Sequence, residues 1–172
     1  MQYNVAQLMK QRTGATRSYV VQSSLERLDP DIVAVDELTG ELRAMRTVDG
    51  VLITGTLTTT IELHCDRCLR PFACPLELTL EDEFKPTIDI ATGASLPVVA
   101  GDNGNRTDEF HILDVSEVVR QQILVTSPLH PLCRDDCRGL CMTCGQDLNE
   151  SDCDCIEEEL DPRWGALRTL LK

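Results

Sequence analysis

Eight of the nine cysteines in this 172-residue chain fall into four close pairs. The pairs are Cys65 and Cys68, Cys133 and Cys137, Cys141 and Cys144, and Cys153 and Cys155. Two thiolates separated by two or three residues can bind one metal ion, and a closed structural zinc site takes four such ligands. Four pairs therefore predict two zinc ions, with one ion as the alternative.

The spacing of the pairs favours one local site and one long-range site. Cys141 and Cys144 are followed by Gly145, as in a zinc knuckle, and the next pair closes a short loop with them at small entropic cost. Cys65 and Cys68 are then left to share a site with the pair at 133–137. That second site would staple the C-terminal segment to the part of the chain around Cys65.

Two alternatives to this ligand set stay open. A C-x-C pair is strained when both thiolates bind one ion, so Cys137 would complete the local site if Cys153 or Cys155 were a spectator. His64 and His130 adjoin the clusters and would serve as substitute ligands. Cys74 stands alone on a predicted strand and is interpreted as a small buried apolar residue.

Thiol redox chemistry is the alternative function for the pair Cys65–Cys68. Arg67 and Arg70 lie beside these cysteines and would lower a thiol pKa, as a redox switch or oxidoreductase requires. Such a motif prefers its first cysteine at a helix N-terminus, whereas this pair follows a predicted strand and runs into Pro71. The metal interpretation is therefore favoured.

Other catalytic patterns do not occur in the sequence. No phosphate-binding glycine loop is present, and none of the three histidines adjoins a nucleophile motif. All-thiolate zinc sites are structural as a rule, because a catalytic ion keeps an open position. We expect neither an enzyme nor a small-molecule substrate.

The charge balance bears on the kind of partner. With 29 acidic and 16 basic residues the net charge is −13, which argues against a general nucleic-acid binder. An acidic surface either suits a basic protein partner or simply keeps the chain soluble, and the second interpretation is favoured on charge alone. No signal-peptide pattern opens the chain, and no apolar run approaches the ~20 residues that span a bilayer. We expect a cytoplasmic protein without a membrane segment, in a compartment where thiols stay reduced.

Alternating apolar and polar residues predict the strands that must position the cysteines. They cover "RSYVVQS", "DELTGELRAMRT", "GVLITGTLTTTIELHC" and "FACPLELTLEDEF", and "CDRC" falls at the turn between the last two. A helix is predicted within "LDVSEVVRQQILVTSP", with Asp114 and Glu117 as a capping box. Another is predicted from Asp161, with Trp164, Leu167 and Leu171 as its apolar stripe.

The predicted fold class is α+β. It consists of an antiparallel β-meander or small barrel-like sheet, one or two packed helices and a Cys-rich, zinc-binding C-terminal segment. Residues 1–110 are predicted to form an N-terminal β-rich domain that carries the "CDRC" knuckle and a mobile loop over 87–110. Residues 111–172 are predicted to hold the helix and the zinc-knuckle segment.

Several stretches between residues 30 and 172 resemble the YceD family, the large ribosomal RNA subunit accumulation proteins. They are "CDRCLRPF", "EDEF", "LDVSEVVRQQILVTSPLHPLCRDDCRGLCMTCGQDLN" and "DPRWGALRTLL". The chain departs from the usual family pattern at Met142, where proline is expected, and at "ILVTSP". Neither departure affects the thiol ligands.

The resemblance implies a bacterial or plastid-type, non-enzymatic factor in ribosome biogenesis. It would support the accumulation of large-subunit (23S) ribosomal RNA through components of the large-subunit precursor. The acidic charge favours an adaptor that binds a basic ribosomal protein or assembly factor over one that binds RNA directly. The residues predicted for direct RNA or partner contact are Arg67, Arg70, Arg43 and Arg46.

Overall fold

A computed structural model describes residues 1–26, 28–97 and 104–155 of the chain. The elements are β1 (Gln2–Asn4), α1 (Ala6–Met9), β2 (Thr16–Ser23), β3 (Val33–Ala34), β4 (Leu38–Arg46), β5 (Val51–His64), β6 (Pro71–Phe84), β7 (Ile112–Asp114) and α2 (Ser116–Thr126). The helix predicted from Asp161 lies outside the described residues. Among those described, no helix is long and apolar enough to cross a membrane.

The main sheet has five antiparallel strands, which confirms the α+β class. Strand β5 is central: β6 pairs with it along all of Val51–His64, and on its other side β4 pairs with residues 51–58 and the short β3 with residues 61–62. Strand β2 pairs with the outer edge of β4.

The sheet is open, so the prediction of a small barrel-like form is wrong. Strand β6 forms one edge, β2 and the short β3 form the other, and no pairing joins the two edges within the described part of the chain. The physical reason lies in how the apolar face is covered. Helix α2 packs on β6 and covers that face, so the sheet need not curl onto itself to bury its core.

The core lies on one face of the sheet because side chains alternate along each strand. On β5 the odd-numbered residues Val51, Ile53, Leu57 and Ile61 are buried, as their period predicts. Helix α2 packs against the core through Val118, Val119 and Ile123, which are buried as well. Cys74, opposite Ile61, is half-buried at the margin of this core rather than fully buried.

A second, two-stranded sheet joins the beginning of the chain to the start of α2, and it contradicts the predicted capping box. Strand β1 pairs with β7, so Asp114 ends a strand and α2 begins at Ser116. The Asp114 carboxylate accepts hydrogen bonds from the Ser116 backbone N–H at 2.9 Å and from the Met1 ammonium at 3.1 Å. Glu117 does not reach back to Asp114; its carboxylate binds the Arg120 guanidinium at 2.8 Å and 2.9 Å.

Backbone hydrogen bonds within the connection from β6 to β7 order its described residues. The Thr107 N–H donates to the Lys85 carbonyl at 3.0 Å, and the Leu96 N–H donates to the Thr87 carbonyl at 2.8 Å. The mobile loop predicted over 87–110 falls partly outside the described residues and stays a prediction, as do the two domain boundaries.

Candidate metal centres

The structure brings the eight paired cysteines together as two groups of four thiols. The first, called the junction centre below, consists of Cys65, Cys68, Cys133 and Cys137. The second, called the tail centre, consists of Cys141, Cys144, Cys153 and Cys155. Within each group all sulfur atoms lie within 4.8 Å of one another. This is the arrangement favoured by the spacing, with one long-range and one local group.

The structure also shows where the alternative ligands considered from the sequence lie. Cys137 lies in the junction centre, and both Cys153 and Cys155 lie in the tail centre. His130 is outside both groups, with its Nδ1 at 2.9 Å from the Asp66 carboxylate. His64 is exposed at the end of β5 and belongs to neither group.

The sulfur–sulfur distances suit a tetrahedral ion. Cys65 Sγ lies 3.8 Å from Cys137 Sγ, and Cys68 Sγ lies 3.7 Å from Cys133 Sγ. Four thiolates at ~2.3 Å from a tetrahedral zinc ion are ~3.8 Å apart. Both groups could therefore hold metal ions, and four thiolate donors are compatible with zinc.

In each centre the first two cysteines lie on one backbone turn, and the two turns have the same hydrogen-bond pattern. The Cys65 N–H donates to the Arg70 carbonyl at 2.9 Å, and the Leu69 N–H returns to the Cys65 carbonyl at 2.8 Å. The second turn repeats both bonds, from Cys141 to Gln146 at 2.8 Å and from Gly145 to Cys141 at 2.9 Å. The chain thus contains two knuckles of the same backbone structure, at residues 65–70 and 141–146.

The residue that follows the second cysteine of each knuckle has a left-handed backbone. Its φ is 60° at Leu69 and 74° at Gly145. Glycine adopts this conformation freely, whereas a side chain with a Cβ is strained there by about 1–2 kcal/mol. Gly145 thus fits the knuckle without this strain, whereas Leu69 holds the same turn under strain while its side chain stays 63% exposed.

In each centre one thiol has a pKa below its usual value. Burial opposes ionisation of Cys65, but backbone hydrogen bonds from Cys133 and Cys68 outweigh it and lower the pKa of this thiol to about 6. Backbone hydrogen bonds from Cys144 and the residue before it lower the pKa of Cys141 to about 6 as well. These amides stabilise a negative sulfur, which is the form that binds a metal.

A further negative charge is opposed in both centres. Burial, followed by the hydrogen bond with the neighbouring Cys68 thiol, raises the pKa of Cys133 to about 12. The Cys144 thiol, followed by burial, raises the pKa of Cys155 to about 12. A bound divalent cation would offset the repulsion between four thiolates, since metal binding displaces the thiol protons. The chemistry of both groups therefore fits a metal ion.

The two centres differ in their surroundings. In the junction centre the exposed fractions of Cys65, Cys68 and Cys137 are 0%, 5% and 2%, and Phe72 and Leu132 pack against them. In the tail centre Cys144 is exposed and its three companions are half-buried. The junction centre is thus part of the packed interior at the end of β5 and β6, while the tail centre is close to the surface.

Three of the four arginines predicted for RNA or partner contact donate hydrogen bonds within the chain. Arg67 Nη1 donates to the Cys137 carbonyl at 2.8 Å, and Arg70 Nη2 pairs with the Asp147 carboxylate at 2.9 Å. Arg46 Nη1 donates to the Gly50 carbonyl at 2.7 Å. Arg43 is exposed on the face of the sheet opposite the core.

One residue beside the junction centre was not identified from sequence. Asn149 donates from Nδ2 to Cys137 Sγ at 3.4 Å. A signal was available in "QDLNES", where polar residues suited to turns lie between two cysteine pairs. Spacing alone does not tell which sulfur such a side chain will reach.

The sequence matches the family model described as "Large ribosomal RNA subunit accumulation protein YceD" over residues 53–171. An uncharacterized protein of Mycobacterium tuberculosis is 29% identical over 153 residues, which are 84% of this chain and 69% of that protein. The chloroplastic "Large ribosomal RNA subunit accumulation protein YCED homolog 1" of Zea mays is 33% identical over 124 residues, 59% of this chain and 42% of that protein. The Arabidopsis thaliana protein of the same description is 34% identical over 62 residues, 36% of this chain and 19% of that protein. No solved structure matches.

Proposed function

The chain belongs to the YceD family of large ribosomal RNA subunit accumulation proteins, and from this premise we propose that it acts in ribosome biogenesis as a non-enzymatic adaptor. In this role it supports the accumulation of large-subunit (23S) ribosomal RNA where ribosomes are assembled. The observation that carries the proposal is the family match over residues 53–171, which includes all eight paired cysteines.

Within this function the two centres hold zinc and have a structural role. All eight thiols are the ligands, and the junction centre fixes the C-terminal segment to the end of β5 and β6. The proposal is supported by sulfur spacing that suits a tetrahedral ion and by the burial of the junction centre. A buried all-thiolate site leaves no open position for a substrate, which is consistent with an adaptor.

The partner we propose is a basic ribosomal protein or assembly factor, and the face of the sheet opposite the core supports this choice. Outward-facing positions of β4, β5 and β6 carry one basic residue, Arg43, and the glutamates Glu41, Glu62, Glu77, Glu81 and Glu83. Exposed threonines separate these charges, among them Thr56 and Thr58. A surface of this charge attracts lysine- and arginine-rich segments and repels phosphates.

The test is co-sedimentation of the chain with large-subunit precursors. We expect the wild type in those fractions, and we expect Glu77→Lys combined with Glu81→Lys to leave them, because reversing two charges removes the complementarity. Glu109→Lys combined with Glu26→Lys is the matched control, since it also reverses two exposed glutamates, both outside β4, β5 and β6. Absence of the wild type from the precursor fractions would refute the adaptor role.

The same experiment separates protein contact from RNA contact. If Arg43→Glu releases the chain and the two glutamate reversals do not, the contact is with RNA, and binding will also fall steeply with salt. If both classes of variant stay bound, the outer face is not the binding surface.

The redox alternative has one observation in its favour, the lowered pKa of Cys65. The side chain of Cys65 is fully buried, however, so an attacking thiolate at this position has no direct access to a substrate disulfide. Thiol-exchange rates of the wild type and Cys65→Ser decide the matter. Equal rates exclude a redox role for this pair.

A further inference from the structure

The two candidate centres are connected by the side chain of Asn149. Its Oδ1 accepts hydrogen bonds from the Arg138 backbone N–H at 2.8 Å and from Arg134 Nη2 at 2.7 Å. Its Nδ2 donates to Cys137 Sγ at 3.4 Å and to the Asp147 carboxylate at 2.8 Å. Because two donors occupy the oxygen, the amide nitrogen is the end that faces the sulfur.

Asn149 reaches the junction centre from a loop that belongs to the tail centre. The loop, residues 145–152, runs between Cys144 and Cys153, two of the four tail-centre thiols. Whatever fixes those two sulfurs in place therefore fixes both ends of the loop. A metal ion on the four thiols does so more strongly than the thiols alone, since it replaces mutual repulsion with four bonds.

Polar contacts hold the loop against the first knuckle. The Asp147 carboxylate accepts the Asn149 N–H at 2.8 Å through Oδ1 and pairs with Arg70 at 2.9 Å through Oδ2. The Leu148 N–H donates to the Gly139 carbonyl at 2.9 Å. The loop thus has one defined position relative to Cys137.

The segment between the two centres, residues 138–140, packs closely against the first knuckle. The Leu140 N–H donates to the Arg67 carbonyl at 3.0 Å, beside Gly139. Gly139 has φ 76°, and a Cβ there would lie 2.9 Å from the same carbonyl oxygen. Backbone therefore packs directly on backbone between Cys137 and Cys141, with no flexible side chain to absorb a shift.

We propose that Asn149 couples the two centres, so that metal in the tail centre protects the metal in the junction centre. Metal at the tail centre holds loop 145–152 and keeps the Asn149 amide on Cys137 Sγ. That N–H stabilises the charge on a thiolate ligand, and partners of this kind are worth about 10–100-fold in metal affinity. Loss of the tail-centre ion releases the loop and exposes the buried thiols. The inference rests on the proposed function, in which both centres hold zinc.

The test is the alkylation rate of Cys65 and Cys68 in the full-length chain with excess free zinc. Native mass spectrometry first counts the ions, and peptide mapping then follows modification by N-ethylmaleimide. Cys153→Ser with Cys155→Ser empties the tail centre, and Asn149→Ala removes the donor. Asn149→Asp keeps an oxygen for Arg134 and the Arg138 N–H, so it tests the donor if the alanine variant disturbs the loop. Its second oxygen replaces the donor beside Cys137 Sγ and the Asp147 carboxylate, and the repulsion acts in the same direction as loss of the donor.

We expect alkylation at least tenfold faster in the tail-centre variant and in both Asn149 variants, with the latter still holding two ions. Combining the tail-centre changes with Asn149→Ala should add no further acceleration, because both act by removing the Asn149 side chain from Cys137 Sγ. Gln146→Ala is the control: its side chain bonds Ser151 Oγ at 3.0 Å within the loop, and we expect wild-type rates.

The outcomes separate this inference from the proposed function. A wild-type count below two ions overturns the zinc centres and the coupling together. A count of two overturns only the coupling if the Asn149 variants alkylate at the wild-type rate, or if the combined variant multiplies the separate effects.

Discussion

Replacing one thiol in each centre by serine should destabilise the sheet unequally. Cys137→Ser opens the junction centre, which joins parts of the chain far apart in sequence: Cys68 and Cys133 are separated by 65 residues. Cys144→Ser opens the tail centre, whose cysteines all lie within residues 141–155. The donor set is the same in both centres, but the length of chain that each ion closes differs, and the deeper burial of the junction centre acts in the same direction.

The size of the difference follows from the entropy of loop closure. With the relation used for disulfide cross-links, closing a loop of about 65 residues stabilises the folded state by about 4 kcal/mol, and closing one of about 10 residues by about 2.5 kcal/mol. We therefore expect Cys137→Ser to cost about 1.5 kcal/mol more than Cys144→Ser. For a chain of this size that corresponds to a Tm lower by about 3–6 °C.

The assay is thermal unfolding followed by the β-sheet signal in far-ultraviolet circular dichroism, with saturating zinc and again with a chelator. Cys74→Ser is the matched control, because Cys74 belongs to neither centre. With chelator the Cys137 and Cys144 variants should converge on the wild type, since the ion is already absent. Equal Tm losses in zinc, or a larger loss for Cys144→Ser, would refute the assignment of the junction centre as the long-range staple.

Two further predictions concern the backbone and the N-terminal strand pair. Gly145→Leu places a Cβ at φ 74° and should lower the free energy of unfolding by about 1–2 kcal/mol. Leu69→Gly relieves the same strain at the entropic cost of glycine, so it should change the free energy of unfolding by less than about 1 kcal/mol. Urea unfolding measures both variants, and a larger loss for Leu69→Gly would contradict the prediction. Burial raises the pKa of Asp114, but hydrogen bonds from Ser116 and the Met1 ammonium outweigh it and lower the pKa to about 2. The Asp114 carboxylate then stabilises the fold fully above its unfolded pKa near 4, and this stabilisation is lost as pH falls towards 2. Asp114→Asn should therefore lower the free energy of unfolding by about 1 kcal/mol at pH 6, allowing for the 46% exposure of the side chain, and by progressively less below pH 4. A loss of stability that grows on acidification would contradict this prediction.

The long strands could be predicted from sequence because their period is sustained. Strand β5 alternates over 14 residues, and its buried positions are the odd-numbered ones, as the pattern requires. Strands β1 and β7 have three residues each, too few to show a period. They form because they pair with each other across more than a hundred residues, which no local pattern indicates.

The capping box predicted at Asp114 and Glu117 does not form, in part because of a contact that is distant in sequence. Asp114 has the residue type and the spacing to Glu117 that the motif requires. In the fold its carboxylate is held by the Met1 ammonium and the Ser116 N–H, and Glu117 is drawn to Arg120. One tertiary contact, from Met1, and two local contacts thus take the place of the capping box.

The cysteine groups were predictable to different degrees. The tail centre follows from spacing, because its pairs are close in sequence. The junction centre was assigned by elimination, and the structure places those four thiols together. That the eight thiols are metal ligands stays a prediction. The Asn149 contact could not be predicted from sequence, since it depends on the path of a loop whose two ends lie in the tail centre.

The positions of the arginines reconcile an acidic chain with a family named for ribosomal RNA. Arg67 and Arg70 adjoin the first knuckle, where basic residues suggest a phosphate contact, yet one donates to the Cys137 carbonyl and the other pairs with Asp147. Both therefore hold the C-terminal segment to the sheet, and the charge of Arg70 is offset by the Asp147 carboxylate. The outer face of the sheet keeps its excess of glutamates. An effect on RNA exerted through a basic protein requires no positive surface, so the net charge of −13 and the family membership support the same proposal.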